Sequence, residues 1–319
     1  GWDGYEYRCI ISGKCLPNDT TAPVIFNIAT EPNIIASPVN DSICQGTDAL
    51  FIIHATGTNL TYQWQISYGF GFSDLINTGP YNGAFDDSLS ISTVPASMNG
   101  HIFRCIVNGL CPPKDTSTDA RLVVHKLPKV ITEPASISVC PDQPSAFTLN
   151  AEAGNIVYQW QVDTGSGFIS LLDNSLYAGS NTNSLQITQS SPGMTGYVYR
   201  CIVSGACLPN DTSVNAVLTV DTIPAISAQP INSVVCEGDT AIFALQAYGS
   251  GTLAYQWQVK NGNGYTDLTD NAQYAGTITN TLRVFSTTVS LDSTEYRCIV
   301  QGNCDGDTSD LVVLTVKEL

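Results

Sequence analysis

Tyr158-Gln159-Trp160-Gln161, followed 41 residues after its tryptophan by Cys201 in Tyr199-Arg200-Cys201, is the stretch from which the fold can be read. Its first part stands again at Tyr62-Gln63-Trp64-Gln65 and at Tyr255-Gln256-Trp257-Gln258, with the same interval to Cys105 and Cys298. The aromatic-Arg-Cys part occurs a fourth time at Tyr7-Arg8-Cys9, and the steps between the four cysteines are 96, 96 and 97 residues. A fixed period of that length marks tandem copies of one folded unit. Pro38, Pro134 and Pro230 keep the same register, each six residues before Cys44, Cys140 or Cys236. The one-residue drift falls between Cys236 and Trp257, in the loop-like Ala247-Tyr248-Gly249-Ser250-Gly251, where an insertion is best tolerated.

Local patterning is β throughout. Phe51-Ile53-Ala55, Phe147-Leu149-Ala151 and Phe243-Leu245-Ala247 place apolar side chains at every second position, as a half-buried strand requires. Leu89-Ile91, Leu185-Ile187 and Leu282-Val284 do so later in each copy, and Leu122-Val124, Leu218-Val220 and Leu314-Val316 near its end. Gly, Asn, Asp and Pro punctuate these runs. Several short alternating strands in about a hundred residues predict a β-sandwich. The organisation expected is a partial copy over 1–30, supplying only two last strands, then complete copies over 31–126, 127–222 and 223–319.

A tryptophan on the third strand, and Tyr-x-Cys on the sixth after a turn such as Met194-Thr195-Gly196, resemble the core tryptophan and tyrosine corner of the immunoglobulin fold. Tyr199 and Tyr296 keep the corner residue, whereas Phe103 lacks its hydroxyl. More narrowly, Tyr-Gln-Trp-Gln followed by Tyr-Arg-Cys-x-Val-x-Gly-x-Cys resembles the three-cysteine immunoglobulin-like repeats of large secreted or cell-surface, adhesin or gliding-type proteins of Bacteroidota. The resemblance covers essentially the whole chain. It implies an all-β protein of tandem immunoglobulin-like β-sandwiches in an extended array, exported by type IX secretion to the cell surface. It also implies O-glycosylation at Asp-Ser/Thr motifs, which fit at Thr20, Ser42, Ser88, Thr222, Thr240 and Ser293. Asn-x-Ser/Thr sequons at Asn18, Asn40, Asn59 and Asn210 matter only in a host that glycosylates asparagine.

The formal charge is −16, from 28 acids against 12 bases, with no Lys/Arg stripe, which argues against a nucleic-acid partner. No apolar run approaches the roughly 20 residues of a membrane span, and no signal peptide is recognisable. The acidity reads as solubility in an extracellular setting. Calcium is the competing reading, at Asp86-Asp87 and Asp305-x-Asp307, but neither pair recurs in register or has a loop of oxygen ligands. No other cofactor is implied. The chain opens on Gly1-Trp2-Asp3-Gly4-Tyr5, within a repeat, and is expected to be an interior piece of something longer.

Eleven cysteines follow the period: Cys9 and Cys15 in the opening piece, then Cys44, Cys105 and Cys111, Cys140, Cys201 and Cys207, and Cys236, Cys298 and Cys304. Such regularity in a secreted β protein favours disulfides over metal, and there is no Cys-x-x-Cys. The sixth-strand cysteines should face the core, but Ala55, Ala151 and Ala247 stand where an antibody domain has their partner. Two pairings remain open. A hairpin bridge such as Cys201–Cys207 needs a three-residue turn to bring both side chains to one face. A staple between neighbouring copies, Cys44–Cys207 and Cys140–Cys304, leaves Cys15, Cys111 and Cys236 for domains outside the chain.

Catalysis has little to work with: His54, His101 and His125 are unrelated in register, and no nucleophile elbow or recurring carboxylate pair exists. The chain is expected not to be an enzyme. Tyr68-Gly69-Phe70-Gly71-Phe72 is the one aromatic cluster; Gly167-Phe168 and Gly264-Tyr265 show that one aromatic there belongs to the repeat and plugs the sandwich edge. Tyr68 and Phe70 are extra and suit stacking on a glycan. Residues 1–30 carry apolar faces with no strands to cover them, and a lone hairpin is marginal in water. Adjoining repeats or strands from another subunit would complete it.

Together these features predict a structural repeat segment of a long extracellular filament or surface adhesin stalk. Disulfides and the short Pro-containing linkers His125-Lys126-Leu127-Pro128 and Asp221-Thr222-Ile223-Pro224 would stiffen it. Its partners would be adjoining repeats or copies of itself, with surface glycans as a further possibility and no direct membrane insertion. The alternative is a glycan- or protein-binding adhesion module using repeat-tip loops or the exposed aromatics.

Overall fold

A computed structural model describes residues 1–318, and apart from three single-turn 3₁₀ segments its regular structure is all β. Each complete copy forms the same two sheets. In the first, Ser73–Asp74, Thr61–Ser67, Ile102–Asn108, Ala120–His125 and Asp41–Cys44 lie in that order, with Asp115–Thr116 added beside Ile102–Asn108. All pairs are antiparallel except the last, where Asp41–Cys44 runs parallel to Ala120–His125 with Cys44 opposite His125. The second sheet is Tyr81–Asn82, Ser88–Ile91 and Ala49–Ile52. The first strand changes sheets: Asn33–Ala36 pairs His54–Thr56, and beyond Pro38 the chain crosses to the other sheet. A proline has no amide hydrogen for either ladder, so it suits the crossing point. The copies that follow repeat this order, strand for strand.

Period-2 alternation explains why the sheets face each other. Ala49, Phe51 and Ile53 are buried, while Leu50 and Ile52 point outward. Trp64, Trp160 and Trp257 are wholly buried at the centre of the three cores. Phe51 stacks on Phe103 with ring centroids 4.9 Å apart, as Phe147 does on Tyr199 at 4.7 Å. Met98 and Met194 close the sandwich from the 3₁₀ turns that precede the sixth strand.

The tyrosine-corner expectation needs correction. The Tyr199 hydroxyl meets the Tyr177 hydroxyl at 3.3 Å inside the sandwich and makes no bond to backbone. Its ring is drawn inward by Phe147, so Phe103 fills the same place without needing a hydroxyl.

The chain divides into two compact units. One holds Gly1–Lys129 with Glu152–Ile156 and Ser204–Asn210, and the other holds the remaining described residues. Two tip loops of the second sandwich thus belong with the first. In this unit Gly154 donates its amide to the Lys126 carbonyl at 3.0 Å and its carbonyl accepts from Ala206 at 2.7 Å. A Cβ on Gly154 would lie 2.7 Å from the His125 side chain, so glycine is required for the close approach.

Candidate functional site

The repeated motifs build one polar ladder per sandwich. The indole N–H of Trp64 donates to the Asp86 carbonyl, and those of Trp160 and Trp257 to Thr182 and Thr279, all at 2.9–3.0 Å. Gln63 bridges the carbonyls of Trp64 and Leu75, tying the third strand to the edge segment after it; Gln159 and Gln256 repeat this. The second glutamine accepts from the motif arginine: Arg104 Nε to Gln65 at 2.8 Å, Arg200 to Gln161 at 2.9 Å, Arg297 to Gln258 at 2.8 Å. Each guanidinium also lies over the repeat's aromatic, 3.7 Å from Phe72, 3.8 Å from Phe168 and 3.3 Å from Tyr265. A guanidinium suits both contacts, because its face stacks while its edge donates. Sequence reading placed this aromatic at the sandwich edge but missed its arginine; the co-occurrence of Gln, Arg and aromatic in all three copies was the available signal.

Of the three candidate glycan-binding aromatics, Phe72 is therefore engaged. Phe70 is fully exposed at 101% and Tyr68 at 64%, with the Tyr68 ring edge-on to His101 at 4.8 Å. Gly69 and Gly71 have φ of 107° and 72°, which hold the turn that turns Phe70 outward. His54 is exposed on its strand.

Two disulfides are formed, Cys44–Cys207 and Cys140–Cys304, with Cα atoms 5.7 and 5.6 Å apart. Each lies within one compact unit and joins the end of a first strand to the last hairpin of the following copy. The Cys201–Cys207 hairpin bridge is not formed. Strand pairing ends at Val203 opposite Asp211, so Cys207 sits on a long loop, while Cys201 is buried within its own sandwich core. The long loop, rather than a three-residue turn, lets Cys207 reach the neighbouring copy. Cys9, Cys15, Cys105, Cys111, Cys201, Cys236 and Cys298 are free.

Burial pushes the thiols of Cys105 and Cys298 up to about 12 and that of Cys201 up to about 11. Thiolate is the reactive species, so these three should resist alkylation at pH 8 while exposed Cys9, Cys15 and Cys236 are labelled quickly. Iodoacetamide labelling with peptide mass mapping checks this; equal labelling of Cys201 and Cys236 would contradict the burial.

Among the described residues no cluster of three His, Cys, Asp or Glu side chains could hold a metal ion. Of the calcium candidates, Asp307 is committed to backbone: one carboxylate oxygen accepts from Thr308 and the other from Ile226, both at 2.8 Å. Asp115 and Asp211 do the same for Ile34 and Val130. These aspartates clamp the first strand to the last hairpin. Asp86 and Asp87 give their carbonyls to Trp64 and Ile53 and leave their side chains exposed. Of the O-glycosylation candidates, Thr20, Ser42, Thr222, Thr240 and Ser293 are exposed and Ser88 is half-buried.

Hydrogen bonds also fix a pH response. The Thr277 hydroxyl and amide, at 2.6 and 2.9 Å, hold the Asp270 carboxyl below its usual range, and the Gly165 and Gly167 amides do so for Asp163. A carboxyl depressed in the fold stabilises it at pH values above the unfolded pKa, and that contribution is lost as pH falls through the folded one. Melting temperature should therefore hold from pH 7 to about 5 and fall below about pH 4. Asp270→Asn should flatten that fall in the third sandwich, as followed by scanning calorimetry.

No family model matches the chain. A stretch of 98 residues, 31% of the chain, is 33% identical to part of Endoglucanase C of Cellulomonas fimi, so the chain spans 8% of the length of that curated relative. Among solved structures, an I-band fragment from titin superposes over 90% of this chain and 99% of its own, with a TM-score of 0.56 at 17% identity. Immunoglobulin domains 1–5 of Sidekick-1 match over 99% of this chain and 67% of theirs, with a TM-score of 0.51 at 20% identity. The chain is a tandem series of immunoglobulin-like domains. At these identities the likeness to solved structures establishes the fold alone.

Proposed function

We propose that this chain is a non-catalytic structural segment of a long extracellular filament or surface adhesin stalk. The observation that carries the reading is the pair of disulfides, each joining one copy to the next rather than closing a domain on itself. Stable disulfides suit an oxidising compartment, which supports a location outside the cell. The resemblance to Bacteroidota surface repeats adds type IX export and O-glycans on the exposed Asp-Ser/Thr sites to the proposal. Cryo-electron microscopy of native material without reducing agent tests it. Continuous fibres of regularly spaced sandwiches are the expected result; only separate short particles, unchanged by reduction, would sink it.

A second reading is favoured by the exposure of Phe70 and Tyr68: an adhesion module in which these rings stack on a glycan. The partial likeness to an endoglucanase supports a carbohydrate as the ligand class. A glycan array separates the readings, because specific binding lost in Phe70→Ala would favour the module.

A further inference from the structure

Each disulfide lets tension leave a copy without crossing its core. In the first copy the opening strand begins at Asn33–Ala36 beside the last hairpin, where the Ile34 amide donates to Asp115 at 2.8 Å. It ends at Cys44, opposite His125 at the close of the last strand. Tension entering before Asn33 therefore runs along this strand to the Cys44 sulfur and passes directly to Cys207. The core of Phe51, Trp64, Leu89 and Phe103 lies beside that route rather than within it. The second copy has the same arrangement, with Ile137–Val139 leading to Cys140 and from there to Cys304.

The two cross-links also overlap along the sequence. One spans 44–207 and the other 140–304, so residues 140–207 lie inside both. From Cys44 to Cys304 the polypeptide runs for 260 residues, but the bonds create three shorter covalent routes. One crosses the first bond, returns the 67 residues from Cys207 to Cys140, and crosses the second bond. The other two use a single bond each, with the 96 residues from Cys44 to Cys140 or the 97 from Cys207 to Cys304. The shortest route draws taut first, and the longer two then stay slack however hard the ends are pulled. A hairpin bridge such as Cys298–Cys304 would bypass only its own loop and leave all three copies in series.

We infer that the overlapping disulfides form one continuous covalent tension path, making the chain a strain-limited tether in which the second sandwich alone can be drawn out. Its use in the cell rests on the filament or stalk reading, but the path is a property of the single chain. At roughly 3.3–3.6 Å per extended residue, Cys44 and Cys304 can separate by roughly 230 Å with both bonds intact and by roughly 900 Å with both reduced. The first and third sandwiches lie on slack branches and are shielded. The two bonds do not act additively, because either one alone still supplies a bypass.

Optical tweezers applied to single chains, held through peptide tags at both termini, test the inference. Work at pH 6 keeps freed thiols protonated and suppresses disulfide exchange. The oxidised chain should show one opening event and the reduced chain three. Reduction should lengthen the fully stretched chain by roughly 650 Å, whereas Cys44→Ser or Cys140→Ser should each add only roughly 100 Å. Three opening events in the oxidised chain, or a single-serine variant that stretches as far as the reduced chain, would overturn the inference. Neither readout depends on assembly into fibres, so failure of the filament reading would leave it standing.

Discussion

Trp160→Ala should lower the stability of the second sandwich by about 3–5 kcal/mol, the range for removing a fully buried large aromatic. Trp160 is wholly buried, its ring packs 6.4 Å from Phe147, and its indole N–H is the partner of the Thr182 carbonyl. The substitution opens a cavity and removes that donor together. Against a domain stability of about 5–15 kcal/mol, this is a large share of the total. For a domain of this size it corresponds to a midpoint roughly 15–30 °C lower. Urea titration followed by near-ultraviolet circular dichroism, with Trp64 and Trp257 reporting on the other sandwiches, should show an early transition confined to the second copy. A change below 1 kcal/mol would mean that this tryptophan does not organise the core.

Cys207→Ser is the second large effect. The Cys44–Cys207 bond closes a loop of sequence separation 163, and a chain-entropy estimate for so long a loop is about 5 kcal/mol when everything inside it unfolds. The full amount is not expected for melting of one sandwich alone, because each is folded around its own tryptophan. The local consequence should be sharper. Segments 152–156 and 204–210 belong to the compact unit of the first sandwich, where the polar contacts beside the bond include the Gly154–Lys126 hydrogen bond and the exposed Lys126–Glu152 ion pair. Exposed ion pairs contribute little. Amide exchange in 204–210 should therefore rise by about a hundred-fold or more, while the amides of Trp160 and Cys201 stay protected. Cys236→Ser, at an exposed free thiol, should change neither region. If Cys207→Ser leaves the loop protected, packing rather than the disulfide holds it.

Much of the fold was legible because it rests on local, repeated rules. Alternation at Phe51-Ile53-Ala55 sets which face of a strand is buried, and a sandwich needs nothing more than two such faces and turns between them. Trp64, Trp160 and Trp257 were identifiable as core from their place on the third strand. The site was less legible. Asp19-Thr20 matched a glycosylation motif and Asp305-x-Asp307 a cation pair, yet the Asp-Thr step recurs at Asp115-Thr116, Asp211-Thr212 and Asp307-Thr308. That recurrence is the mark of the clamp between first strand and last hairpin, and only the positions of Ile34, Val130 and Ile226 reveal it. Phe72 and Phe70 differ by two residues and look alike in sequence. One lies beneath Arg104 and the other is bare, because the Gly69 and Gly71 turn separates their directions.

The sequence by itself determined the repeat, the β class, the sandwich cores and the cysteine inventory, since each follows from spacing and from side-chain alternation along a strand. The tertiary structure alone decided which cysteines bond and which arginine covers which aromatic. Those depend on where separate loops and sheets meet, and Cys44 and Cys207, at a sequence separation of 163, come together only because a long hairpin loop carries one of them to the end of another copy's first strand.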